Sequence, residues 1–183
     1  MTQRSIHIQK LVIAAVCLAL CLVLPFLTGQ IPEIGSMLSP MHIPVLLCGF
    51  ICGPAWAAVV GAIAPLLRFM LFGMPPLFPV GVAMCVELAT YGAVSGMMLK
   101  FVHTGKTYPD LYISMVTAML AGRIISGIAK ALIFSPGMAL SAWVTASFVT
   151  ALPGICIQLV LLPAVVHSLM KAKLIPYRYP KEN

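Results

Sequence analysis

The sequence predicts an all-α membrane protein. It reads as a single domain, residues 1–183, folded as a bundle of six transmembrane helices with the N- and C-termini cytoplasmic. Three observations predict this. Hydrophobic residues make up 61% of the chain and charged residues 8%, against about 45–50% and roughly 25% in a soluble domain. The apolar residues gather in segments near the length of about 20 residues that crosses a bilayer. The 11 Lys and Arg outnumber the 4 Asp and Glu, and eight of the 11 fall at the chain ends or between alternate segments. Lipid offers the backbone no hydrogen bonds, so only helices or closed barrels cross it, and these segments lack the alternation of a barrel. The same composition excludes a soluble enzyme and a disordered chain.

The first segment, 11–27, follows the polar start 1–10. A cleaved signal is not expected, because no small-residue cleavage site is evident and five more apolar segments follow. The second covers 37–53 and the third 54–73, divided at Gly53-Pro54, where the proline takes a first-turn position that needs no N–H. Met74-Pro75-Pro76 breaks the chain before the fourth, 78–102. The fifth is 111–134. The sixth, 138–170, is long enough to tilt, kink or re-enter at Pro153 and Pro163.

Orientation follows from the basic residues. Arg4 and Lys10 precede the first span, Lys100 and Lys106 follow the fourth, and Lys171, Lys173, Arg178 and Lys181 follow the sixth. With six spans all three groups share one side, while connections 28–36, 73–77 and 135–137 hold no Lys or Arg. Basic residues mark the cytoplasmic face. Trp56, Trp143, Tyr108, Tyr112, Tyr177 and Tyr179 fall near span ends, as interfacial anchors do.

Four ionisable side chains lie inside apolar runs: Arg68, Glu87, Arg123 and Lys130. Each costs at least about 2.5–3.5 kcal/mol at the centre of a lone helix. Arg123, Gly127 and Lys130 share one helix face by spacing. Two readings are open. In one, Glu87 pairs with Arg123 to lock helices while Arg68 and Lys130 reach the headgroups. In the other, they line an external pocket with surplus positive charge, suited to a carboxylate. His42, between Pro40 and Pro44, is an interfacial hydrogen-bonder or a substrate contact. Glu33, in the first external connection, is solvated or gates the pocket. Phe69, Phe72, Phe78 and Tyr91 offer aromatic walls.

Small residues recur at helical spacing: Ala15 and Ala19 in the first span, Ala57, Gly61 and Ala64 in the third, Gly92 and Gly96 in the fourth. Such stripes pack helices against each other or against a partner. The six cysteines contain no CxxC pair and read as small apolar residues. No GxxxxGK[ST], HExxH or GxSxG sequence occurs, so the chain holds no P-loop and no recognisable hydrolytic constellation. It is not expected to be an enzyme, nor to hold a metal or cofactor.

The alanine-bearing first span, the stretch Ser39-Pro40-Met41-His42-Ile43-Pro44-Val45 leading to Gly53-Pro54, and Gly73-Met74-Pro75-Pro76 carry a resemblance. The chain resembles the substrate-binding S component of energy-coupling factor (ECF) vitamin transporters over nearly its whole length. The resemblance implies high-affinity capture of a vitamin or related micronutrient from outside. It implies a site built from the first external loop, the loop before the fourth span and the outer helix ends. It also implies docking of Ala15 and Ala19 on a transmembrane coupling subunit, ATP hydrolysis by two cytosolic partner ATPases, and toppling of the S component in the membrane. The charge argument supplies the candidate substrate-binding residues Glu33, His42, Arg68, Phe78, Glu87, Tyr91, Arg123 and Lys130. A carboxylate vitamin such as pantothenate suits surplus positive charge; riboflavin and other vitamins stay open. The alternatives are a stand-alone secondary carrier or small channel, and a ligand-free assembly protein.

Overall fold

The computed structural model describes residues 3–28, 31–133, 145–172, 174, 175 and 179. Trp143 and Tyr177 lie outside the described residues, as do 138–144 of the sixth predicted span. Among the described residues seven α-helices follow in order: α1 (Gln3–Val23), α2 (Pro32–Leu38), α3 (His42–Cys52), α4 (Pro54–Phe72), α5 (Val82–Phe101), α6 (Thr107–Ile133) and α7 (Leu152–Lys171). No strand occurs among the described residues.

Among the described residues five helical stretches are long and apolar enough to cross a membrane, and α3 is too short. The predicted second span is broken. Ser39 closes α2 in the left-handed region (φ 47°), with its N–H on Gly35 O at 2.9 Å, and α3 begins afresh at His42. Pro44 falls in the first turn of α3, where a missing N–H costs nothing. At 1.5 Å per residue the 11 residues of α3 rise about 16 Å, roughly half of a ~30 Å hydrocarbon slab. Irregular backbone inside a membrane must be satisfied by protein. Here the side chain of Gln158, buried on α7, donates to Ser39 O at 3.5 Å.

The ends of the helices are paired by contact. At one end Cys52 Sγ donates to Lys10 O at 3.5 Å, and Tyr108 stacks on His167 with ring centroids 5.6 Å apart. Lys10, Lys100, Lys106 and Lys171 therefore gather at this basic end. Asp110 is buried there. It accepts from the N–H (2.9 Å) and the hydroxyl (2.7 Å) of Thr104 and from Tyr179 Oη (2.7 Å), which ties the tail to the α5–α6 turn. At the other end Phe26 meets Phe72 edge-on at 4.9 Å. Helices α1, α4, α5, α6 and α7 thus run between the two ends while α3 reaches the basic end from inside the bundle, and the start of α1 and the finish of α7 share the basic end.

Close backbone approach holds the bundle together, as expected where lipid removes the hydrophobic drive between helices. A Cβ at Gly61 would strike the Leu88 carbonyl, one at Gly92 the Ala57 carbonyl, and one at Gly96 the Gly53–Pro54 peptide. The small-residue stripes of α4 and α5 are therefore internal packing. Cys17, Cys21, Cys48 and Cys52 are buried in the core where α1 meets α3. Ala15 and Ala19 differ: they are exposed on the outer face of α1, while Ala14 and Cys17 point inward.

Candidate functional site

The buried polar residues meet where the start of α3 reaches α5 and α6. Glu87 lies near the start of α5, and Tyr91 follows four residues later on the same face. Ser126 of α6 donates from Oγ to Glu87 Oε2 at 2.9 Å. His42, the first residue of α3, places Nε2 3.5 Å from Glu87 Oε1 and packs edge-on against the Tyr91 ring at 4.8 Å. Lys130, one turn beyond Ser126, acts electrostatically on Glu87. Arg123, one turn before Ser126, does so on Tyr91. The Arg123 guanidinium lies over the Phe148 ring, 5.7 Å from its centroid.

Helix geometry explains the convergence. The break at Ser39 starts α3 inside the bundle and so delivers His42 to Glu87. Gly122 lets α6 press on the Tyr91 ring, since any Cβ there would clash with it. Gly127 is likewise buried on the face of α6 that carries Arg123 and Lys130.

The arrangement is short of partners. His42 and Arg123 are each 6% exposed, Ser126 2% and Tyr91 0%. Both ring nitrogens of His42, the Tyr91 hydroxyl and Arg123 Nε make no hydrogen bond. Roughly 90% of buried polar groups are normally bonded, and leaving one unmet costs about 1–3 kcal/mol. Four such atoms, two on His42 beside Glu87, one on Tyr91 and one on Arg123 beside Tyr91, mark a place suited to receive a polar group. The helix-locking Glu87–Arg123 pair offered by the sequence is not formed: Glu87 is held by Ser126 and His42 instead.

Arg68 lies apart from this cluster. Arg68 is buried at the far end of α4, where Nη1 donates to the terminal carbonyl of Leu22 at 2.6 Å. Its guanidinium also lies over the rings of Phe26 (5.2 Å) and Phe72 (5.5 Å). This is a clamp from α4 to the end of α1. Replacement by Met leaves the Leu22 carbonyl unmet and removes both ring contacts. R68M is expected to destabilise the protein by about 2 kcal/mol, the scale of one charged hydrogen bond, with ligand affinity unchanged. Thermal melting and equilibrium binding in detergent check the two halves of that result.

Phe78 is exposed in the α4–α5 connection, and Glu33 falls on α2 with its side chain outside the described residues. Sequence reasoning missed Ser126, Gly122 and Phe148. Ser126 was legible in principle, since i+3 from Arg123 and i−4 from Lys130 place it on their face. No group of three His, Cys, Asp or Glu is placed to hold a metal among the described residues.

A family described as ECF transporter, substrate-specific component, matches residues 9–166. No curated protein and no solved structure matches the chain.

Proposed function

The chain belongs to the family of ECF transporter substrate-specific components and is a multi-pass protein of the cell membrane, and from that premise we propose how it works. It is the high-affinity substrate-binding subunit of an ECF-type importer. It takes a small vitamin or related micronutrient into the cluster formed by His42, Glu87, Tyr91, Arg123 and Lys130. The observation that supports this reading is the group of buried polar atoms without partners around Glu87. A membrane bundle retains such groups at a cost of several kcal/mol unless a solute completes them. Two cations, Arg123 and Lys130, against one carboxylate favour a substrate with its own carboxylate, with pantothenate the leading example.

The chain carries no P-loop sequence, so energy comes from outside it: a transmembrane coupling subunit with two cytosolic ATPases. Ala15 and Ala19, exposed on α1, are the docking face. The decisive experiment is purification from native membranes together with an uptake assay. Co-elution with such a module, and uptake lost on deletion of its ATPases, is the expected result. Uptake that survives deletion of every such ATPase would establish the stand-alone carrier instead.

The basic end faces the cytoplasm by the distribution of Lys10, Lys100, Lys106 and Lys171. Lys106→Cys is therefore expected to react with a membrane-impermeant maleimide only after cells are opened. Met74→Cys, on the opposite connection, is expected to react in intact cells. The reverse pattern would invert the topology.

A further inference from the structure

We infer that the Glu87 cluster selects a bipolar solute: one that presents an anionic group to Arg123 and, elsewhere on the same small molecule, an N–H or O–H donor to Glu87 and His42. The inference rests on the substrate-binding reading and names the substrate class for that site.

The unmet atoms are of two kinds. Arg123 Nε–H can only donate, and no carboxylate among the described residues pairs with this 6%-exposed guanidinium. Its neighbours are the Phe148 ring face and the Tyr91 hydroxyl, and neither neutralises a buried cation. An anion does so, and a guanidinium holds a carboxylate in a bidentate fork. Glu87 has the opposite need. An ionised carboxylate accepts at about four positions. Ser126 fills one, and His42 stands at 3.5 Å from the other oxygen without forming a hydrogen bond. Both His42 nitrogens are unmet, so in either tautomer one of them also accepts.

A simple monocarboxylate would complete Arg123 and leave Glu87 and His42 short of donors. It would also bring a second negative charge toward a buried carboxylate. An uncharged flat ring would satisfy Glu87 and leave Arg123 bare. Only a molecule with both features completes the set. Tyr91, whose hydroxyl both donates and accepts, stands between the two halves and bonds either end. The arrangement also sets the pose. Arg123 lies one turn closer to the basic end of α6 than Ser126, so the anionic group enters first and the donor group sits against Glu87.

The test begins with native mass spectrometry of the freshly purified protein. The bound metabolite is identified by fragmentation, and binding is then measured for that compound and its methyl ester. Pantothenate, biotin, lipoate and riboflavin serve as a fixed comparison panel. The metabolite is expected to carry a carboxylate and at least one N–H or O–H donor. The acid is expected to bind about 10- to 100-fold more tightly than its ester, the scale of a charge-assisted hydrogen bond. R123Q should erase that preference and R123K restore part of it. E87Q should weaken the ester as well as the acid, because it removes the charged acceptor for the donor end of the molecule, whereas R123Q acts on the acid alone. Size-exclusion profiles and helical circular dichroism confirm that each variant folds.

A bound metabolite lacking either group overturns the inference. So does an ester that binds as tightly as the acid, or acid preference that persists in R123Q. Those results leave a substrate-binding subunit with a different ligand chemistry. Absence of any bound metabolite, together with no binding across the panel, overturns the substrate-binding reading itself.

Discussion

Replacing Ala19 with tryptophan will reduce solute uptake to background and leave solute binding in detergent unchanged. Ala15 gives the same result. Both residues are exposed on α1 and lie on one strip of it, four residues apart. Leu11, Val12, Val16, Leu20 and Val23 form the apolar surface around them. A tryptophan there adds bulk outside the bundle and touches none of the residues around Glu87. It does prevent a partner helix from approaching the α1 backbone closely, which is the use of small residues in membrane interfaces. Paired measurements on one preparation decide the matter: uptake by cells, and equilibrium binding by the solubilised protein. Equal loss of both would mean that the alanine strip serves the inside of the bundle.

The second large effect concerns folding. Gly92→Val is expected to destabilise the protein by at least about 3 kcal/mol, the upper part of the range for overpacking. The added side chain would meet the carbonyl, carbon and Cβ of Ala57. These are backbone and near-backbone atoms of the facing helix, so no rotamer change relieves the clash; α4 and α5 must separate. Gly105→Ala provides the contrast. Gly105 has φ +84° and no neighbouring atom within contact distance, so its cost is only the left-handed strain of roughly 1–2 kcal/mol. Thermal unfolding of the two variants beside the parent checks the ordering. A Gly92→Val protein as stable as Gly105→Ala would show that the α4–α5 seam is looser than its geometry implies.

Helix positions were legible in the sequence because hydropathy and breakers act locally. Gly53-Pro54 does divide two helices, and Gly73, in the left-handed region at φ 71°, does cap α4. The shortness of α3 was harder to read. The apolar run from Met37 continues through the break, and only Ser39-Pro40 and Pro44 mark where the helix restarts. The polar site was half legible. Arg123, Gly127 and Lys130 share a face by spacing alone. That Glu87 takes Ser126 and His42 as partners depends on how α3 and α6 cross α5, which no single segment encodes. Arg68 shows the same limit from the other side. Its position in an apolar helix drew attention correctly, but its partner, the Leu22 carbonyl, is set by the end of α1.

For a molecule held at the proposed Glu87 site, the half-length of α3 governs how it can leave. Its 11 residues separate His42 from the basic end by about 16 Å. Val45, Leu46, Cys48, Leu88, Met115 and Ala118 fill that interval as buried core. No side-chain rotation opens an exit through so thick a stopper. Discharge on the far side must come from displacing entire helices or from returning the molecule the way it came, so the exit step is one of rigid bodies and its rate belongs to whatever drives them.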